Sequence, residues 1–278
     1  MDEQAGTGAL GGDRSDAHGT APHGEVTLVG GGPGSDELLT VAGAHALERA
    51  DVVLYDRLAP HGSLGTLAPH ALLVDVGKTP GHHPVSQKDI EALIVRHALS
   101  GANVVRLKGG DPYVFGRGSE EVLACHAAGI RVTVVPGVTS AIAVPAAAGI
   151  PLTHRGMTRL FTVVSGHAPL TESELEHLAG LGGTIVVLMG VGTLPSITQG
   201  LVRFGADAEL PVAIIERGFS PTQTTTIGTL ASIVFDAAAA RVTSPAVLVI
   251  GEVVRLAHDG DAESSVLLAR AGALADLA

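Results

Sequence analysis

The sequence predicts an α/β protein built as two successive units, and three observations carry that prediction. Short aliphatic runs alternate with longer stretches that have helical spacing and helix-start residues. Aromatics make up only 3% of the chain and Trp is absent, so a 46% apolar composition must build its core from Val, Ile, Leu and Ala. The alternation is interrupted once, at PAAAGIPLT (Pro145 to Thr153), and then resumes. The expected organisation is a disordered tail over 1–23, an N-terminal α/β domain over 24–144, a C-terminal α/β domain over 145–257, and a tail or helix over 258–278.

Residues 1–23 are rich in Gly, Asp, Ala, His and Ser, and bury too little apolar surface to offset the entropy of ordering. Glu25 to Val29 is the first strand, running into GGGPGS; Ser35 then reads as the N-cap of a helix with Asp36 and Glu37 in its first turn. Asp51 to Tyr55 is a second strand with Asp56 at its end, and Leu72 to Val76 a third, followed by Gly77-Lys78. Ser86 and Asp89 form a capping-box pair for a helix ending at Gly101. The apolar run Val104 to Leu107 stops at Lys108 and opens into a loop with glycines at 109, 110, 116 and 118, after which Ser119, Glu120 and Glu121 read as a helix start. Cys125, in that helix, reads as a small core residue, and Arg131 to Val135 is the next strand. Beyond the interruption, strands are expected at 160–164, 185–188, 212–215 and 247–250, and helices at 171–181, 193–204 and 229–240. Thr224 to Ile227 fits an extra antiparallel strand.

Composition excludes several function classes. A net charge of -11 argues against bulk electrostatic binding to nucleic acid. No apolar run approaches the ~18 residues of a membrane-spanning helix, and the start lacks a signal-peptide core. A single cysteine forms no intramolecular disulfide and suits a reducing cytoplasm. Metal binding is not expected: His82-His83, in a Pro/Gly loop, is the one suspicious pair, and it lacks Cys or Glu partners at zinc-site spacing. No P-loop and no G-x-S-x-G elbow occurs.

In open α/β sheets, ligands gather beyond the carboxyl ends of strands, and Asp56, Lys78 and the Asp111 loop all fall there. A capping role for Asp56 and a solvated one for Lys78 compete with a catalytic reading. Gly30 and Gly32 fit the start of a dinucleotide fingerprint, with Asp56 as its acid, but Ser35 replaces the third glycine; a nicotinamide oxidoreductase is therefore the runner-up. Ten of the 17 Lys and Arg residues lie between Arg57 and Arg159, a local concentration suited to a polyanionic small molecule.

The motifs VGGGPGSDELLT, VVLYDRL, VGK…Q, VVRLKGGDPYVFGRGSEE, VVPGVTSA and AGIPLTHR occur in this order. Together they resemble the uroporphyrinogen-III C-methyltransferases of the tetrapyrrole methyltransferase superfamily, from about Gly24 to Leu256. The resemblance implies two α/β domains with the active site in the cleft between them, a cytoplasmic homodimer, S-adenosylmethionine as methyl donor with S-adenosylhomocysteine as product, and uroporphyrinogen III as substrate. Carried over by motif, cofactor contacts fall on Pro33, Gly109, Gly110, Asp111, Val114, Thr139, Ser140, Met189, Gly218 and Ala246. The proton acceptor and donor match Asp56 and Lys78, and substrate carboxylates have candidates in Arg57, Arg106, Arg117, Arg155 and Arg159. The chain departs from the family's usual residues at Leu188, Tyr113 and Glu91, none of them a proposed catalytic group. With no dehydrogenase/chelatase module preceding the domain, methylation alone is expected. Methylation of a later precorrin, or binding of a nucleotide or tetrapyrrole without turnover, are the alternatives.

Overall fold

Four buried or half-buried aliphatic runs and one largely exposed edge run (β3) pair as an all-parallel sheet in the order β3-β2-β4-β1-β5, where β1 is Val26–Gly30, β2 Val52–Tyr55, β3 Leu72–Asp75, β4 Val104–Lys108 and β5 Val132–Val135. The computed structural model describes residues 23–77 and 85–257. The tail assigned to 1–23 (save its last residue), Lys78, the His82-His83 pair and the 258–278 segment lie outside them.

Side chains alternate across a strand, so each strand feeds both faces of the sheet. On one face Leu28, Leu54 and Val104 pack with Ile90, Ile94 and Ala98 of α3 (Gln87–Leu99) and Cys125 of α4 (Gly118–Ala127). On the other, Val29, Val53, Val105 and Leu107 pack with Ala46 and Leu47 of α1 (Val41–Glu48) and Leu64 of α2 (Leu64–Leu67). Burial pushes the Cys125 thiol up to about 11, with the Glu121 and Glu91 carboxylates adding to the effect. Its thiolate is therefore scarce at pH 8. Alkylation of the native protein there is expected to be at least ~100-fold slower than in urea, a difference read by mass spectrometry. The same raised value makes a contribution to stability that is present below the unfolded thiol's pKa and lost as pH rises towards 11.

The second sheet has the order β6-β7-β10-β8-β9: β6 is Phe161–Ser165, β7 Thr184–Leu188, β8 Pro211–Glu216, β9 Thr224–Thr229 and β10 Ala246–Ile250. It is mixed: β6 and β7 are parallel, while β10 runs antiparallel to both β7 and β8, and β9 antiparallel to β8. α6 (Glu172–Leu181), α7 (Leu194–Arg203) and α8 (Ile233–Ala239) cover one face through Leu175, Ile197, Leu201 and Ile233. The other face is covered by α5 (Ser140–Ala147), whose Ala141 and Val144 join Val186, Ile215 and Val249 in one core. Pro145, the sequence-level boundary, thus sits inside a helix that packs on the second sheet.

Three local expectations differ. The helix after GGGPGS begins at Val41, capped by the Thr40 hydroxyl accepting from the Gly43 N–H at 3.1 Å; Asp36–Leu38 is a separate 3-10 turn and Ser35 caps nothing with its side chain. The chain is extended at Leu39, which ends that turn before the helix can start. The helix expected at 229–240 starts only at Ile233, because β9 continues to Thr229, whose N–H donates to the Ser232 hydroxyl. α4 starts at Gly118 after a left-handed Arg117, not at a Ser119 cap. The Ser86–Asp89 capping box forms as expected. Among the described residues no helix is long and apolar enough to cross a membrane.

Candidate active site

The parallel order puts the carboxyl ends of β2, β4, β1 and β5 side by side, and their loops build the site. Gly110 N–H donates to Gly32 O at 2.6 Å and Gly32 N–H to Gly110 O at 3.2 Å, tying the loop that holds Pro33 to the loop after β4. Asp111 braces the same region: one carboxylate oxygen accepts the Tyr113 N–H at 2.8 Å, the other the Gly137 N–H at 3.0 Å. Gly137 belongs there for steric reasons. A Cβ on it would lie 2.3 Å from Gly110 O and 2.6 Å from Gly30 Cα, both backbone. Gly137→Ala is expected to cost about 1–3 kcal/mol in urea unfolding, since backbone must move to admit one methyl.

Thr139 and Ser140 open α5, with the Thr139 hydroxyl accepting from the Ala141 N–H at 3.3 Å. From this start, α5 leads to the second sheet. A Cβ on Gly218 would lie 2.6 Å from Val144 of α5, and one on Gly34 would lie 4.0 Å from Gly218 O. Val114, from the loop after β4, packs against the core formed by α5 and the second sheet. The register pairs Val247 with Leu188 and Ala246 with Glu216, so Met189, Gly218 and Ala246 lie along one edge of that sheet. The carried-over cofactor residues therefore fall in two groups joined by α5. Among the described residues, five of the six non-glycine residues with positive φ (Phe115, Arg117, Met189, Arg217 and Phe219) lie in the loops after β4, β7 and β8. Strained backbone of this kind concentrates at ligand sites, and nothing in the spacing of ordinary residues announces it.

A cavity of about 540 Å³ opens beside this region, lined in part by Asp56, Arg57, Gln87, Lys108, Gly109 and Arg117. Asp56 follows β2 on the α3/α4 face, and its side chain is 31% exposed. Arg106 and Lys108, two residues apart on β4, point to that same face and are buried despite their charge. Arg106 is 1% exposed and each of its nitrogens is engaged: Nη2 by Asp56 at 2.6 Å, Nε by Glu121 at 3.0 Å, Nη1 by the Leu107 and Leu54 carbonyls at 3.0 and 3.4 Å. Lys108 Nζ lies 3.0 Å from Glu121 and 3.9 Å from Asp56. Burial lowers the Lys108 pKa, helped by the Arg106 charge and opposed by Glu121 and Asp56.

The remaining sequence-level arginines are exposed. Arg57 and Arg117 reach the cavity, and Arg117 forks onto Glu120 at 2.8 and 2.7 Å. Arg155 sits in the tight His154–Thr158 bridge, with Arg159 just after it. Glu121 is the residue that sequence reasoning misses. It reads as a helix-start acid but is fully buried. The available signal was its place one helical turn before Cys125, an expected core position.

The family model for Tetrapyrrole (Corrin/Porphyrin) Methylases matches residues 25–234. The chain is 47% identical over 241 residues to the S-adenosyl-L-methionine-dependent uroporphyrinogen III methyltransferase of Methanosarcina barkeri, covering 85% of this chain and 94% of that one. It is 44% identical to the siroheme synthase of Gluconobacter oxydans, where 84% of this chain spans 50% of the relative's length. Among solved structures, the uroporphyrin-III C-methyl transferase of Thermus thermophilus, complexed with S-adenyl homocysteine, superposes with a TM-score of 0.70 at 44% identity, covering 84% of this chain and all of that one. Two sheets bridged by α5, glycine-built loops at the strand ends and similarity over most of the length lead to one assignment: the chain belongs to the tetrapyrrole (corrin/porphyrin) methylases.

Proposed function

We propose that the protein catalyses S-adenosylmethionine-dependent C-methylation of uroporphyrinogen III at carbons 2 and 7, giving precorrin-2 through precorrin-1 on the route to sirohaem or cobalamin. The observation that carries this reading is a carboxylate, Asp56, presented at an arginine-lined cavity that shares the Gly109–Gly110 loop with a backbone cradle opening towards the second sheet. The residues fit the methyl donor: with no side chain at Gly109 and Gly110 a ligand can approach the loop's backbone closely, and a Cβ on Gly110 would stand in ordinary contact, 3.8 Å, with Ser140 N at the start of α5. Pro33, Gly109, Gly110, Asp111, Val114, Thr139 and Ser140 would hold it from the first unit, and Met189, Gly218 and Ala246 from the second.

When bound, S-adenosylmethionine supplies an electrophilic sulfonium methyl for an electron-rich pyrrole carbon. The chain's own task is positioning and proton management. Asp56 accepts a proton lost from the substrate, and Lys78 donates one. Arg57, Arg117, Arg155 and Arg159 grip substrate carboxylates, where the planar guanidinium fork binds bidentately. Arg106 also lines the cavity, and its bonds to Asp56 and Glu121 let it orient Asp56 beside the substrate carboxylates. A cytoplasmic homodimer completes the reading, the dimer from family likeness and the compartment from an acidic chain with one cysteine.

The test is incubation with labelled S-adenosylmethionine and anaerobic uroporphyrinogen III. Two methyls per product support the proposal. Transfer only to a later precorrin replaces the substrate. Stabilisation by S-adenosylhomocysteine without transfer indicates a binding protein, and stabilisation by NAD alone an oxidoreductase.

A further inference from the structure

Glu121 is a fully buried carboxylate with no part in the chemistry above. Its Oε1 accepts from Arg106 Nε at 3.0 Å, Lys108 Nζ at 3.0 Å and Gln87 Nε2 at 3.3 Å, while Oε2 has no hydrogen-bond partner among the described residues. One oxygen thus gathers three donors, two of them cationic, where a site built only for packing would hold an apolar side chain at less cost. The guanidinium of Arg106 is rigid and planar. Seating its Nε edge on Glu121 therefore dictates where Nη2 points, and Nη2 meets Asp56 at 2.6 Å. Lys108 is held nearer Glu121 than Asp56, which leaves Arg106 as the closer of the two cations to Asp56.

We propose that Glu121 is a positioning residue for methyl transfer: from a buried place on α4 it fixes the plane of Arg106 and the station of Lys108, and so the direction in which Asp56 faces the cavity. The inference rests on the reading of Asp56 as proton acceptor. Among the described residues, the charged groups facing Lys108 are Asp56 from β2, Arg106 on its own strand and Glu121 from α4, with the more distant Glu120 adding a weak field; Gln87 from α3 is neutral. Burial and Arg106 already lower the Lys108 pKa against the pull of the two carboxylates, so losing the Glu121 charge lowers it further.

The experiment compares Glu121→Gln, Glu121→Asp, the double variant Glu121→Gln/Lys108→Met and Asp56→Asn in the methyl-transfer assay, with S-adenosylhomocysteine binding measured in parallel. Glu121→Gln is expected to lose kcat by about 100-fold, to keep cofactor affinity, and to move the alkaline limb of its rate–pH profile to lower pH. Glu121→Asp keeps the charge and is expected to keep the wild-type limb with a smaller loss. The double variant is expected to regain thermal stability without regaining kcat. Wild-type kcat and pH profile in Glu121→Gln would overturn the inference, as would recovery of both stability and kcat in the double variant, which marks a purely structural charge. Should Glu121→Gln fail to fold, Glu121→Asp decides: lower kcat with normal cofactor binding supports the inference, and wild-type kcat rejects it. Full activity in Asp56→Asn sinks the Asp56 reading itself, whereas an inactive Asp56→Asn beside a fully active Glu121→Gln sinks only the role of Glu121.

Discussion

Asp56→Asn is expected to lower kcat for methyl transfer by about 10²–10⁴-fold, the usual contribution of a positioned acid or base. The substitution keeps the size of the side chain and leaves one oxygen to accept from Arg106, so the scaffold should survive it. What it removes is the basic carboxylate oxygen at the cavity, on a side chain that is 31% exposed. Affinity for S-adenosylhomocysteine should hold, because the cradle built from Gly32, Gly110 and Gly137 does not involve Asp56. Single-turnover kinetics with labelled methyl donor separates the two effects. A variant that transfers methyl groups at the wild-type rate would remove Asp56 from the mechanism.

The largest loss of stability is expected from Arg106→Met, about 3–5 kcal/mol, because breaking a buried ion pair leaves its partners charged and uncompensated. Two carboxylates and two backbone carbonyls depend on this one side chain. Asp56 loses a contact at 2.6 Å, Glu121 keeps Lys108 as its one charged partner among the described residues, and the Leu54 and Leu107 carbonyls lose a donor. Adding Glu121→Gln to Arg106→Met should return part of the loss, since the double variant buries one charge fewer. Urea midpoints of the four proteins in that cycle give the coupling directly. Equal midpoints for wild type and Arg106→Met would show that the cluster contributes nothing net to folding.

Most of the first sheet is legible in the sequence, because strands buried on both faces of a parallel sheet are continuous aliphatic runs with turn residues at their ends. Asp56 and the loop from Gly109 are legible for the same reason: each sits where such a run stops. Arg106 and Lys108 are visible as cations inside an aliphatic run, but their buried counter-ion is not. That counter-ion, Glu121, is 13 to 15 residues away, in what reads as an ordinary acidic helix start. The second sheet is legible in its strands and in the antiparallel direction of β9, but not in the reversal of β10. The hydrophobicity of Val247 to Ile250 is the same whichever way β10 enters between β7 and β8. Non-glycine residues in left-handed conformation, such as Met189 and Phe219, leave no trace in composition at all.

The placement of α5 has a consequence for how this chain can be taken apart. The helix follows β5 in sequence but owes its buried face to Val186, Ile215 and Val249 of the other sheet. A first half ending after Ala147 would carry an oily helix with nothing to cover it, and a second half beginning there would expose the bare side of its own sheet. The two sheets are therefore not cassettes to be swapped between relatives at the proline-rich interruption. A chimera joined before Thr139 keeps the helix with the surface it covers, and leaves Val114 and the loops of Gly34 and Gly110 to find their partners across the joint.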